Sequence, residues 1–339
     1  MDLTRRAFAL SSAALAASPA TATPRAKPIV IAHRGSSGER PEHTAMAYRL
    51  AVEEGADFIE PDLVLSKDGH LVVRHENEIA GTTDVAGRPE FAARKATKVI
   101  DGERIEGWFT EDFTLAELKT LRARERLPQL RPASARFDGQ EAIPTFQEVV
   151  ALAKAESART GRAIGVYPEM KHPAYFASVG LPIEARLAQA LKDAGLDAED
   201  APVFVQCFEV EPLKTFKTLS KARRVQLVGA QTPGMVDAEG LKQIASYAHG
   251  VGPDWSLVIP TAGGALGAPT PLVSQARALG LEVHPWTVRA ENRFLPAMLR
   301  SADDPAAHGD AGAVLKALYA AGVTGVFSDF PGLAVRARG

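Results

Sequence analysis

Residues 28–76 read PIVIAHRGSSGERPEHTAMAYRLAVEEGADFIEPDLVLSKDGHLVVRHE. An apolar run ends on His33 and Arg34, and an amphipathic stretch follows from His43 to Ala56. A second apolar run carries Glu60 and Asp62, and a third, shorter one ends at His75. Period-two apolar runs on either side of a period-3.6 stretch describe strand, helix and strand. A polar loop after each strand leaves the charged residues at the strands' C-terminal ends.

The same alternation continues along the chain. Strand candidates are PIVIAH, ADFIEPDLVLS, AIGVYPEMK, VFVQCFEV, RRVQLVG, GVGPDWSLVI, LEVHPWTV and GVTGVFSDF. Helical patterns fall between them: HTAMAYRLAVEEGA, IPTFQEVVALAKAESARTG, IEARLAQALKDAG and AGAVLKALYAAG, with PLKTFKTLS, GLKQIASYAHG and PLVSQARALG as shorter ones. Glycine at or near the ends of the four longer patterns suits helix termination. Strands interleaved with helices predict a parallel α/β fold, and their number favours a closed TIM (β/α)8 barrel over an open sheet. Residues 77–142, after the second strand, break the rhythm. Only TLAELKTLRAR reads as a helix there, with Thr114 as N-cap and Glu117 at capping-box spacing. This segment is expected to be a lid-like insertion over one end of a single domain spanning 23–339.

Residues 1–22 are expected to lie outside that domain. MDLTRRAFALSSAALAASPATA has Arg5 and Arg6, an alanine-rich apolar stretch, and Ala20-Thr21-Ala22 as a small-residue cleavage pattern. TRRAFAL resembles a twin-arginine export signal, so an exported location, periplasmic or secreted, is expected. The composition of the 339 residues is ordinary for a globular chain: 46% hydrophobic, 24% charged, with a formal net charge of −2. No Lys/Arg-rich block gives the electrostatic footprint of a nucleic-acid or anionic-membrane binder, and a small molecule is the expected partner. The single Cys207 excludes an internal disulfide and, inside a strand-like run, reads as a small buried hydrophobe.

In such a barrel the C-terminal ends of the strands form the active mouth. Alternate strand residues share a face, so Glu60 and Asp62 point together. Two close carboxylates repel, and a cation between them resolves this; hard oxygen ligands suit Ca²⁺ or Mg²⁺. Glu169, at the end of the third strand, is the candidate third ligand. The pair taken alone also fits surface carboxylates or ion pairs with neighbouring Lys and Arg. His33 and His75 are candidates for a general acid/base pair, because imidazole titrates near neutral pH. Each taken singly also fits a structural histidine at a strand end. Arg34 and Lys171 are placed to grip phosphate oxygens. Later strands bring Gln206, Trp286 and Asp329 to the same end, Gln206 as a neighbour of the ligand set. His43, at a helix entrance, is expected to be structural or to sit behind the site. His70 is expected at the end opposite His75, and His172, His249, His284 and His308 are expected to be structural. TAGGALGAP lacks the strand–helix setting and the lysine of a P-loop.

AHRGSSGERPEHT, ADFIEPDLVLSKDGHLVVRHE, GVYPEMKHP, FVQCFE, PWTVR and GVFSDFPG occur in that order. Together they resemble the glycerophosphodiester phosphodiesterase family, over residues 28–336. The resemblance implies a TIM barrel that hydrolyses glycerophosphodiesters to glycerol 3-phosphate and an alcohol with Ca²⁺ or Mg²⁺. It places the family's catalytic histidines on His33 and His75 and its metal carboxylates on Glu60, Asp62 and Glu169. Its phosphate contacts fall on Arg34 and Lys171, and a glutamate just outside the ligand set falls on Glu42. Trp286 falls where an aromatic side chain lines the glycerol pocket. Pro61 within Glu-x-Asp, Glu76 where Asp is common, and His43 where many members have Asn are departures that bear on substrate fit. Two other readings share these residues: a phospholipase D-like or phosphoinositide-specific enzyme acting on intact lipid, and a non-catalytic exported binding protein. The histidine pair argues against the last, because capture alone has little need of an acid and a base.

Overall fold

The computed structural model describes residues 27–339. The expected export signal at 1–22 lies outside the described residues. Eight parallel strands form the barrel. They are β1 (Ile29–Ala32), β2 (Phe58–Ile59, continuing as Asp62–Leu65), β3 (Gly165–Val166, continuing as Glu169–Met170), β4 (Phe204–Cys207), β5 (Arg223–Val228), β6 (Gly250–Pro253), β7 (Glu282–Val283) and β8 (Gly325–Ser328). The register runs in chain order, with Ile31 opposite Phe58, Asp62 opposite Glu169 and Glu169 opposite Gln206. β8 pairs along the whole of β1, from Ile29 opposite Gly325 to Ala32 opposite Ser328. Closure between β7 and β8 comes from Phe327 N donating to the Pro285 carbonyl and Val288 N donating to the Phe327 carbonyl, both at 3.0 Å. The expected barrel is therefore present.

β2 and β3 are each interrupted by a proline, Pro61 and Pro168, which has no N–H to give the ladder. Their carbonyls still accept, Pro61 from Glu169 N at 3.0 Å and Pro168 from Gln206 N at 2.9 Å. The strands bend without parting, and Glu60 and Asp62 sit on either side of the bend. Beyond Leu65 the chain turns at Ser66–His70 and returns as Leu71–Val73, antiparallel to Asp62–Leu65. This short return is not a barrel strand. It brings His75 back to the mouth and leaves His70 at the far turn.

Inside the barrel, Ile31, Phe58, Tyr167, Phe204, Val225 and Phe327 form an aromatic plug. Tyr167 stacks on Phe204 at 5.1 Å and meets Phe327 edge-on at 5.0 Å. Such pairs add to the roughly 1.5–3 kcal/mol from burying each large apolar side chain. Outside, helices such as Ala45–Glu53, Phe146–Thr160, Ile183–Asp193 and Ala311–Ala321 pack their apolar faces on the strands. The β1 loop needs a glycine at Gly35: its φ is +86°, and a Cβ there would lie 2.7 Å from the Ala47 carbonyl carbon.

Residues 77–142 hold more structure than their sequence pattern suggests. Ala96–Ile100 and Glu103–Gly107 form an antiparallel hairpin across an Asp101–Gly102 turn, the dipeptide a tight hairpin favours. Its strands are mostly exposed, so the apolar alternation that marks a strand is faint. The helix read from TLAELKTLRAR is only Leu115–Leu118, with the Thr114–Glu117 capping box at its start. The chain beyond it is drawn into extended bridges, Arg122 with Ala142 and Ala123 with Thr83. These tertiary pairings override a helical pattern.

Candidate active site

Three carboxylates meet where β2 and β3 bend at Pro61 and Pro168. Glu60, Asp62 and Glu169 are buried, and each offers a ligand oxygen within 4.8 Å of the others. Burial, together with the charges of Asp62 and Glu169, pushes the Glu60 carboxyl well above the usual range. Burial likewise lifts Glu169 to about 7 against the pull of Lys171. Asp62 goes the other way, because His43 and Arg34 outweigh its desolvation. His43 Nε2 lies 3.0 Å from Asp62 Oδ2, and Arg34 Nε lies 3.3 Å from the same oxygen. The other oxygen, Asp62 Oδ1, is buried with no hydrogen-bond partner among the described residues. Gln206 donates to Glu60 Oε1 at 2.6 Å, while its own Oε1 is buried without such a partner. A set of hard oxygens that includes a buried orphan carboxylate atom fits a divalent cation.

Each histidine is held from behind. His33 Nδ1 donates to Asp329 Oδ1 at 2.5 Å, and His75 Nδ1 donates to Glu76 Oε1. A carboxylate only accepts here, so the proton sits on Nδ1 and the lone pair on Nε2 of each ring. His33 Nε2 is 3.9 Å from Glu60, and His75 Nε2 accepts from Lys171 Nζ at 3.1 Å. Burial and Arg34 lower His33 to about 4. Burial, with Arg34 and Lys171, lowers His75 to about 3. Both rings are therefore neutral at pH 7 in the ligand-free protein.

The cations are tied to the acids. Lys171 donates to Glu169 at 2.8 Å, and Arg34 donates to Glu42 at 3.0 Å. Arg34 and His43 adopt left-handed φ values of 61° and 58°. That conformation costs a non-glycine residue about 1–2 kcal/mol, and histidine and asparagine tolerate it better than most. The cleft between these groups has a volume of about 410 Å³. Its apolar wall includes Trp286 and Phe208, in edge-to-face contact at 5.5 Å, and Trp286 donates its indole N–H to the Gly252 carbonyl at 2.8 Å. Asp62, wholly buried, lies beneath this lining.

The structure thus brings together His33, His75, Glu60, Asp62, Glu169, Arg34, Lys171, Trp286, Glu42 and Gln206. His43 lies directly behind Asp62, and His284 lies away from the mouth, bonded to Tyr167. Cys207 is buried and donates weakly to the Met170 carbonyl. Sequence reasoning missed the groups that orient the histidines. Asp329 could have been given that role, since it ends β8 beside β1. Arg126, which bonds Glu76 and Glu42, Arg131 and Arg289, which both bond Asp329, and Glu291, which accepts from Arg131, carry no sequence signal, because these partners are distant in the chain.

A parallel barrel with this mouth defines a TIM-barrel hydrolase, and comparison with known proteins specifies which kind. The sequence model of the glycerophosphoryl diester phosphodiesterase family matches residues 33–333. A glycerophosphodiester phosphodiesterase of Arabidopsis thaliana is 37% identical over 328 residues, covering 90% of this chain and 84% of that protein. One from Haemophilus influenzae is 31% identical over 338 residues, covering 89% and 87%. Among solved structures, an Oleispira antarctica phosphodiesterase in complex with the product sn-glycerol-3-phosphate superposes with a TM-score of 0.61 at 22% identity, covering 92% of this chain and 96% of that one. A glycerophosphodiester phosphodiesterase from Agrobacterium tumefaciens gives 0.60 at 19% identity, covering 91% and 99%. The chain belongs to the glycerophosphoryl diester phosphodiesterase family and is a phosphoric diester hydrolase.

Proposed function

We propose that this protein hydrolyses glycerophosphodiesters, such as glycerophosphocholine, to glycerol 3-phosphate and an alcohol, using a divalent cation and a histidine pair. The observation that carries this reading is the pairing of two carboxylate-held histidines with one buried acid trio. Glu60, Asp62 and Glu169 would hold the cation, Ca²⁺ or Mg²⁺. When bound, it supplies positive charge that lowers the cost of charge developing on the phosphoryl oxygens. Arg34 and Lys171 complete the phosphate grip, and the Trp286–Phe208 wall offers a flat apolar face to the glycerol carbons.

One histidine takes the proton from the attacking hydroxyl as the new P–O bond forms; where the attacker is the glycerol 2-hydroxyl in place of water, a cyclic phosphate results, and water opens it in a second, equivalent step to give glycerol 3-phosphate. The other, protonated at Nε2, returns a proton to the departing alkoxide as the old P–O bond breaks. Both rings are depressed in the ligand-free site, chiefly by burial and Arg34. A phosphodiester anion seated on Arg34 and Lys171 offsets those cations and raises the acid toward its working range. Export through the Arg5–Arg6 leader belongs to the same proposal and rests on the sequence of residues 1–22.

The test is release of glycerol 3-phosphate from glycerophosphocholine, with phosphatidylcholine in parallel, with and without divalent cation. The reading expects release from the deacylated substrate only, and only with the cation. Turnover of phosphatidylcholine alone would transfer the assignment to intact lipid.

A further inference from the structure

The insertion at 77–142 bonds to the residues behind both histidines. Its segment Glu125–Arg131, ERLPQLR, sends two arginines into the site. Arg126 Nη2 and Nη1 donate to the two oxygens of Glu76 at 2.6 and 3.0 Å, and its Nη2 and Nε donate to Glu42 at 2.6 and 2.8 Å. Glu76 is the carboxylate behind His75, and Glu42 is the one that holds Arg34. Arg131, nearly buried, donates from Nη2 to Asp329 Oδ2 at 2.5 Å, from Nε to Glu291 at 2.5 Å and from Nη1 to the Ser37 carbonyl at 2.9 Å. Asp329 is the carboxylate behind His33. The two arginines, five residues apart in one turn, therefore end on the two carboxylates that fix the two ring tautomers.

We infer that Arg126 and Arg131 are positioning residues, through which the insertion locks both histidines with Nδ1 protonated and Nε2 available to the substrate; the catalytic consequence rests on the function proposed above. Burial alone would push the Asp329 carboxyl up, but Arg289 and Arg131 outweigh it and keep the group ionised. Glu76 is likewise held down, against burial, by His75 and Arg126. Glu76 is gripped by the two-pronged bond from Arg126, and Asp329 Oδ2 is held by Arg131 and by Arg289 Nε at 3.0 Å; a charged carboxylate anchored twice cannot swing away from its imidazole. Simple surface pairing would not select these carboxylates. Arg124, just before this segment, is 55% exposed and lies only loosely by Asp138, at 3.6 Å.

The test combines histidine ¹⁵N NMR with steady-state kinetics on Arg126→Ala, Arg131→Ala and the control Arg124→Ala. Arg131→Ala should alter the Nδ1/Nε2 pattern of His33 and spare His75, and Arg126→Ala should do the converse. In each, kcat should fall about 10–100-fold, the usual cost of removing an outer-shell partner, with KM nearly unchanged for Arg131→Ala. Added guanidinium should restore part of the loss in the alanine variants and nothing in Arg124→Ala. If Arg131→Ala does not fold, Arg131→Lys should show the same His33 change in smaller measure. Unchanged ring patterns with wild-type kcat in folded variants would overturn the inference. A wild type that hydrolyses no glycerophosphodiester, yet shows the expected ring changes, would overturn the proposed reaction while upholding the positioning role.

Discussion

The two ends of the barrel interior are built on opposite principles. The mouth crowds Glu60, Asp62 and Glu169 with Arg34 and two histidines, and Lys171 bonds both Glu169 and His75 there. Below it, Phe58, Tyr167, Phe204 and Phe327 pack as an aromatic plug whose polar handle is the Tyr167 hydroxyl, 2.8 Å from His284 Nδ1. Burying like charges together costs stability, while burying rings provides it. The barrel places a strained, reactive layer on a stable floor. Replacements at the mouth should therefore change rate more than stability, and replacements in the floor the reverse.

The largest contrast concerns the acid trio. Thorough chelation, or Asp62→Ala, should bring glycerophosphodiester hydrolysis down to background while the folded state persists, read by activity and by thermal melting. Full activity after chelation would break the comparison at its root. Next is Phe204→Ala in the floor, which should lower unfolding free energy by about 3–5 kcal/mol. In denaturant melts the midpoint should fall, while kcat of the remaining folded enzyme stays near wild type. A large kcat loss there would mean that the floor reaches the chemistry.

The pH dependence of stability sharpens the same contrast, because the two ends have opposite signs. His284 is depressed by burial from 6.5 to about 4, so between those values the unfolded chain binds more protons. Its contribution is present above pH 6.5 and is lost as pH falls toward 4. Glu169 is raised by burial from 4.5 to about 7 in the cation-free protein. Its contribution is present below pH 4.5 and is lost as pH rises through 7. Melts in EDTA should show His284→Gln flattening the acidic slope and Glu169→Gln flattening the neutral one. Identical slopes in wild type and both variants would contradict these assignments. The smallest effect is Tyr167→Phe, which removes one buried hydrogen bond and should cost about 1 kcal/mol with unchanged kcat, read by denaturant melts.

Sequence legibility followed the range of the interactions. The eight strands were readable because apolar periodicity is local, and Pro61 and Pro168 bent two of them without hiding that pattern. Glu60, Asp62, His33 and His75 could be nominated because a barrel gathers strand ends at one mouth. The hairpin Ala96–Gly107 was not seen, although Asp101–Gly102 marks its turn, because its faces are too exposed to alternate clearly. Nor were Arg126 and Arg131 seen. Arg131 meets a carboxylate 198 residues away, and only the fold of the insertion determines that encounter. For His43 the sequence leaves a structural role and a place behind the site both open, and the buried contact with Asp62 puts it directly behind that carboxylate.

The central claim is that His33 and His75 move the protons while the mouth's carboxylates hold charge and geometry. Initial rates of glycerol 3-phosphate release from glycerophosphocholine, with saturating cation, for His33→Ala and His75→Ala test it most directly. The account predicts losses of about 10²–10⁴-fold in each variant, with melting temperatures close to wild type. Near wild-type rates in both would contradict it.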